Sequence, residues 1–208
     1  MKKKTRAKAR LGRPKSEEKR ALISNAAANL FLSEGFERTS MDTIASAAGV
    51  SKQTVYSHFR NKDDLFRSCI SGKTREYALL LGVSEHDDLE SGIRSLADGY
   101  LRLLSDPGVV RMWRLAINEA TPRPRVAKMF HQTGPAATLD SLTAFLAHHA
   151  DGLNTDDYGS AARTLLALIA DLYQSEIMLG VISEIPAITR KNHVERVSRQ
   201  FLTLFGRR

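Results

Sequence analysis

Apolar side chains recur every three or four residues along most of the chain, the period of helices that pack by one face. A first helix is predicted from a Ser16 cap, with Glu17 and Glu18 in its opening turn, Ile23, Ala27, Leu30 and Phe31 at helical spacing, and Gly35 as its stop. Two short helices follow between Ser40 and Phe59. A fourth, from Asn61 to about Leu81, carries Leu65, Phe66, Cys69 and Ile70. Beyond Ser84, Ile93, Leu96, Tyr100, Leu103 and Leu104 form one stripe, and Pro107 opens a helix through Met112, Trp113 and Ile117. The run TPRPR precedes a helix from Val126 to Phe130, and Gly134-Pro135 separates it from another through Leu139, Leu142, Phe145 and Leu146.

The segment from about Thr155 to Val181 differs. Ala161, Leu165, Leu168, Leu172, Ser175 and Leu179 make one stripe, and Leu166, Ile169, Tyr173 and Ile177 make a second. A helix that is apolar on two faces must bury both, one in its own domain and one elsewhere. After Pro186 a last helix offers Val194, Val197, Phe201 and Leu204. Two such helices from each of two chains would form a four-helix seam with two-fold symmetry. Leu165, Leu168, Leu172, Leu179, Val194, Val197, Phe201 and Leu204 are therefore candidate dimer contacts; the alternative is one larger monomeric core.

SMDTIASAAGVSKQTVYSHF, from Ser40 to Phe59, has the pattern of a helix-turn-helix. Ala45 is small enough for two helices to approach, Gly49 suits a left-handed turn, and Val55 is placed to lock the second helix down. Thr39 and Ser40 offer hydroxyls to cap the first helix, with Asp42 in its first turn, and Ser51 offers one to cap the second. Val50 and Val55 have the spacing of a hydrophobic staple. Val55 and Phe59 then face Ile44 and Ala48, which leaves Lys52, Gln53, Tyr56 and Ser57 outward. Polar hydrogen-bonding side chains on a free helix face suit base edges and phosphates in a major groove, and Thr39 beside Ser40 is counted among the candidate DNA contacts. Lys52 and Lys62 each fall in the first turn of a helix, where a cation opposes the dipole. A phosphate bound there would reverse the sign of that cost.

The net charge is +8, and residues 1–16 hold eight basic side chains (Lys2, Lys3, Lys4, Arg6, Lys8, Arg10, Arg13, Lys15) and no acidic one. The rest of the chain sums to about zero, so the excess charge belongs to a leader, expected to be disordered alone and drawn to polyanions. Within it Gly12-Arg13-Pro14 is slim and extended, and Arg13 is a candidate to enter a narrow minor groove. The single cysteine, Cys69, excludes an internal disulfide and suits a reducing cytosol as a small buried hydrophobe. No signal peptide and no membrane span is expected: no apolar run follows the basic start, and the most apolar helix carries Asp171, Gln174 and Glu176.

The stretch SEEKRALISNAAANLFLSEGFERTSMDTIASAAGVSKQTVYSHFRNKDDLF resembles the N-terminal domain of the tetracycline-repressor (TetR) family. The likeness runs from Ala27–Phe31 through Gly35-Phe36, Ile44-Ala45, Ala48-Gly49-Val50-Ser51, Tyr56, His58-Phe59 and Lys62 to Leu65. Thr43 departs from the acidic or small residue common there, which leaves the cap of the second helix open. RMWRLAINEATPRPRVAKMFHQTGPAATLDSLTAFL resembles, more loosely, the C-terminal domain of an AefR-like branch. The resemblance implies that Ser40, Thr54, Tyr56, His58 and Lys62 hold phosphates, and that Lys52, Gln53, Ser51 and Ser57 face bases. The expected fold is all-α: a basic arm over 1–15, a three-helix helix-turn-helix DNA-binding domain over 16–62, and a helical ligand-binding and dimerisation domain over 63–208. The expected partners are a palindromic double-stranded operator, a second copy of the chain and a small hydrophobic ligand, in a bacterial cytoplasm.

Catalytic chemistry finds no footing. Gly72-Lys73-Thr74 looks like the end of a phosphate loop, but Arg67 stands where the earlier glycine is required. No nucleophile elbow or zinc-binding cysteine pair appears. His148-His149 with Asp151, and His86 beside Asp87 and Asp88, read as solvated helix ends rather than metal sites, and no cofactor is expected. A ligand pocket is the better use of the bulky residues beyond Ser84. Tyr100, Met112, Trp113, Ile117, Met129, Phe130, Phe145 and Tyr173 are candidates for its lining, with Arg111, Arg114 or His131 at a polar end; plain core or surface is the alternative for each. The leading reading is a ligand-responsive dimeric repressor. A DNA-binding dimer without small-molecule control, and an enzyme with a DNA-binding head, are the alternatives.

Overall fold

Helix α1 (Arg13–Glu34) begins three residues before the Ser16 cap that the sequence suggests. Pro14 explains the early start: in a first turn its missing N–H costs nothing and its fixed φ is already helical. Arg13, expected in an extended arm, is thus the first residue of a helix. The computed structural model describes the backbone of residues 13–80 and 88–207, and side chains over 16–75 and 88–207. The basic residues from Lys2 to Arg10, the side chains of Arg13 and Lys15, and His86 with Asp87 lie outside the described residues.

The chain divides into two compact units, Met1–Cys69 and Ile70–Arg208. In the first, α1 is followed by α2 (Met41–Ala47), α3 (Lys52–His58) and the start of α4 (Lys62–Leu80), which runs on into the second. Gly35, at φ +86°, ends α1 with its N–H on the Phe31 carbonyl at 3.1 Å. Ile23, Ala27 and Phe31 of α1 are buried together with Ile44, Val55, Phe59, Leu65 and Phe66. Phe31, Phe36 and Phe66 form an aromatic cluster with ring centroids 5.1–5.5 Å apart, edge to face about Phe66. Cys69 is buried, and its thiol donates to the Ser24 carbonyl at 3.3 Å. Burial pushes that thiol up to about 12, so it remains protonated and behaves as a small hydrophobe.

The second unit contains α5 (Leu89–Ser105), α6 (Pro107–Glu119), α7 (Pro124–Thr133), α8 (Pro135–His148), α9 (Tyr158–Ala170), α10 (Tyr173–Leu179) and α11 (Ala187–Phe205). Prolines open α6, α7 and α8, and Asp88, Asp106 and Asp157 accept main-chain N–H bonds at the starts of α5, α6 and α9. Helix α5 packs against α9 and α11, and α8 lies along α9. Ile93, Ala97, Leu101, Leu104, Leu142, Leu146, Leu165, Ile169, Val197 and Phe201 form the centre of the core. An antiparallel bridge, Leu153 to Gly206, closes the end of α11 onto the α8–α9 connection.

The long helix expected over 155–181 is two helices. Asp171 takes φ 43°, a left-handed value unusual for a residue with a side chain, and ends α9 there. Two residues of α11 hold the break: Arg196 reaches the Asp171 carboxylate at 3.2 Å, and the buried His193 donates from Nε2 to the Ile169 carbonyl at 2.9 Å. The candidate dimer contacts split accordingly. Leu165, Val194, Val197 and Phe201 are consumed by the core of the protomer, a correction to their assignment as interface residues. Leu168 is half-buried, while Leu172, Leu179 and Leu204 are 67%, 80% and 59% exposed. Among the described residues no helix is long and apolar enough to cross a membrane.

Candidate nucleic-acid interface and ligand cavity

The turn between α2 and α3 is built from a glycine motif. Gly49 sits at φ +65°, its N–H bonds to the Ser46 carbonyl at 3.2 Å, and the Val50 N–H bonds to the Ala45 carbonyl at 3.1 Å. This pair of bonds satisfies the last carbonyls of α2 and turns the chain toward α3. At the other end of α2, Ser40 and Thr43 form a reciprocal cap, Thr43 N–H to Ser40 Oγ and Ser40 N–H to Thr43 Oγ1, both at 3.0 Å. Thr43 therefore completes the cap that its departure from the family pattern leaves open in the sequence. Ser51 caps α3 without the reciprocal bond, its Oγ accepting from the Thr54 N–H at 3.1 Å.

Val55 and Phe59 are buried, and this fixes the rotation of α3. Ser51, Lys52, Gln53, Tyr56 and Ser57 face solvent, Tyr56 at 48% exposure. Thr54 and His58 are half-buried at the edges of that face. Ser57 bonds back to the Thr54 carbonyl at 2.7 Å, which leaves its oxygen free to accept. Lys52 is paired with Asp42 at 2.8 Å, and that hydrogen bond and charge hold its ammonium pKa above the ordinary lysine value.

Two candidates are placed differently. Thr39 is 1% exposed and its hydroxyl donates to the Gly35 carbonyl at 2.8 Å, so it holds the α1–α2 connection and has no surface for a phosphate. Lys62 opens α4, but its ammonium already meets the Phe36 and Glu37 carbonyls at 2.8 and 3.2 Å and lies 4.5 Å from the centre of the Phe36 ring. Its visible task is to fasten the start of α4 to the α1–α2 connection. Sequence reasoning missed Arg20, which donates to the His58 carbonyl at 3.2 Å and to Ser68 Oγ at 3.3 Å, and covers the Phe59 ring at 4.5 Å. The signal was present: Arg20 lies three residues before Ile23 on the stripe that continues through Ala27 and Phe31.

The second unit contains a cavity of about 120 Å³, open to solvent on the side of the exposed Ser141, and lined by Thr74, Leu96, Gly99, Tyr100, Leu103, Thr138, Ser141, Leu142, Leu166 and Ile169. Of the predicted lining, Tyr100 alone belongs to it. Met112, Met129 and Phe130 are buried elsewhere, and Trp113 packs edge-on against Phe130 at 4.9 Å. Ile117 is 55% exposed. Phe145 meets His149 at a tilt with ring centroids 4.5 Å apart, and Tyr173 meets His193 edge to face at 5.0 Å. Arg114 caps α10 through the Ile177 and Met178 carbonyls, both at 3.1 Å. Bulk alone did not distinguish the wall of a cavity from the rest of a helical core. Among the described residues no cluster of His, Cys, Asp and Glu is arranged to hold a metal.

Residues 23–69 match the model of bacterial regulatory proteins of the tetR family, and residues 91–207 match the AefR-like transcriptional repressor C-terminal domain. The regulator AcrR of Shigella flexneri is 41% identical over 58 residues, 28% of this chain and 27% of AcrR. That match thus spans about a quarter of the curated relative's length. Over the whole fold, a TetR-family regulator from Mesorhizobium loti is 27% identical with TM-score 0.72, covering 92% of this chain and 98% of that one. The flavonoid-responsive regulator FrrA is 33% identical with TM-score 0.70, covering 92% and 99%. A reading head built on Gly49 and Val55 and a helical second unit both find their counterparts in one group of proteins, and the chain belongs to the TetR family of transcriptional regulators, with an AefR-like C-terminal domain.

Proposed function

We propose that the protein is a homodimeric, cytoplasmic repressor that binds an approximately palindromic operator through α3 and is released by a small hydrophobic ligand. The observation that carries this reading is the exposed polar face of α3, with Ser51, Lys52, Gln53, Tyr56 and Ser57 above a fully buried Val55. Lys52 and Gln53 suit base edges, whereas Ser40, Tyr56 and His58 suit phosphates. Phosphate contacts position the head, and the base contacts choose the sequence.

Dimerisation is supported by the apolar side chains left open on the last two helices and their connection, Leu172, Leu179, Val181, Ile188 and Leu204. Large exposed aliphatic residues gathered on successive elements favour a partner surface over solvent. A two-fold dimer carries paired heads, so half-site centres fall about one DNA turn apart or a multiple of it. Ligand control is supported by the apolar cavity of the second unit and by the response to flavonoids in the name of FrrA. Helix α4 begins in the reading head and supplies Thr74 to the cavity wall, which gives a ligand a covalent path by which to favour a non-binding state.

Footprinting on the DNA upstream of the protein's own gene tests the proposal. It should reveal protection of an inverted repeat that is lost on adding the cognate ligand. Uniform, unpatterned protection at every concentration would leave only the attraction of a basic protein for DNA and would overturn it.

A further inference from the structure

The cavity of the second unit has a chemistry more specific than its apolar character. Among the described residues its wall holds no lysine, arginine, histidine, aspartate or glutamate; leucine, isoleucine and glycine stand there beside the hydroxyl side chains of Thr74, Tyr100, Thr138 and Ser141. Three of those hydroxyls have spent their protons on their own helices: Thr74 on the Ile70 carbonyl at 3.3 Å, Thr138 on Gly134 at 3.1 Å and Ser141 on Ala137 at 2.9 Å. What they can still offer a ligand is an acceptor oxygen. The fourth, Tyr100, has no hydrogen-bond partner among the described residues, and burial holds its phenol above the ordinary tyrosine value. Tyr100 stays neutral and retains a proton to donate.

We infer that this cavity selects a neutral, single-ring hydroxyarene, whose hydroxyl accepts from Tyr100 or donates to the spent oxygens of Thr74, Thr138 or Ser141, and that it rejects carboxylates and ammonium groups. The inference rests on the ligand-responsive reading above and narrows its ligand. Size follows from the volume: about 120 Å³ compares with the roughly 150 Å³ apolar cavity known to admit benzene, so the cavity as it stands holds one ring. Rejection of charge follows from desolvation, since among the described residues no opposite charge lines the wall to pair with an ionised ligand. A bare hydrocarbon enters but leaves Tyr100 unsatisfied, which costs affinity relative to the hydroxyarene.

Calorimetric titration of the full chain with p-cresol, toluene, benzoate and benzylamine at neutral pH tests this, with Tyr100→Phe as the variant. The expected order is p-cresol tighter than toluene, with no binding of benzoate or of the benzylammonium ion. Tyr100→Phe should weaken p-cresol by roughly two- to tenfold, the worth of one hydrogen bond, while toluene binds as tightly as before or more tightly, because no hydroxyl is left unsatisfied. Retained toluene binding also shows that the variant has kept its fold. Benzoate or benzylammonium binding as tightly as p-cresol overturns the inference, as does p-cresol binding that ignores Tyr100→Phe or a failure of all four probes to bind. Operator footprinting run beside the titration separates the two readings: p-cresol that binds in the expected way while operator protection is unaltered counts against ligand control and leaves the cavity chemistry standing.

Discussion

The Lys52 ammonium lies 2.8 Å from the Asp42 carboxylate, tying the first turn of α3 to the first turn of α2. A lysine at the start of a helix opposes the dipole, and Asp42 supplies the anion that offsets this while no DNA is present. A phosphate or a base edge then has to compete with Asp42 for Lys52. Asp42→Asn should therefore raise affinity for any duplex at low salt by about 1.5- to 5-fold, the range of an exposed ion pair, with the gain shrinking as salt rises. Anisotropy titrations at two salt concentrations measure this. Equal affinities of variant and parent at both salts would mean that Lys52 does not meet DNA.

Gly49 holds a left-handed φ of +65°, and a Cβ built there meets nothing within 4 Å. Gly49→Ala thus isolates backbone cost from steric cost. It should lower the stability of the reading head by about 1–2 kcal/mol, seen as a reduced denaturation midpoint. A neutral outcome would show that the turn relaxes freely and that its glycine is not needed for the left-handed conformation.

Asp98 on α5 accepts from Arg102 at 2.6 Å and from Arg190 of α11 at 2.7 Å. Burial pushes its carboxyl up, but the hydrogen bonds and charges of the two arginines outweigh it and hold the pKa below the ordinary aspartate value. A depressed carboxylate stabilises the fold above its unfolded pKa, and that contribution is lost as pH falls below about 4. Asp98→Asn should melt earlier than the parent at pH 7, with the gap closing as the pH drops through that range. A gap of constant size would show that packing, not charge, accounts for it.

The two classes of dimer candidate should separate under mutation. Leu179→Glu, at an 80% exposed position, should convert dimer to monomer in sedimentation while leaving the melting of the isolated protomer almost unchanged. Leu165→Ala, at a fully buried position, should instead cost about 2–5 kcal/mol of stability. A dimer that survives Leu179→Glu would place the interface on another surface.

How far the sequence reaches depends on how local each cause is. The caps of α2 and α3, the Gly49 turn and the inward pair Val55 and Phe59 are set by residues within a few positions of one another, so spacing alone was enough to read them. The break at Asp171 was not readable, because nothing in LIADLY departs from a helical pattern; the restraint comes from Arg196 and His193, more than twenty residues away. The same distance dependence explains Lys62, whose partners are carbonyls of the α1–α2 connection about twenty-five residues away. The cavity was missed for a further reason. Its wall is set by which side chains leave space, and small residues such as Gly99, Thr138 and Ser141 do so more effectively than the aromatic ones chosen for their size.

The central claim is that α3 chooses a sequence, and the ratio of affinities for the footprinted operator and a scrambled duplex of equal length measures it directly. With the parent protein the operator should be preferred by at least about a thousandfold at physiological salt. Gln53→Ala should cut that ratio by a factor corresponding to about 1–3 kcal/mol, with the scrambled affinity nearly unchanged. Tyr56→Phe, which removes a hydroxyl suited to phosphate, should weaken both duplexes together. A Gln53→Ala protein that loses affinity for both duplexes equally, with the ratio intact, would contradict the account.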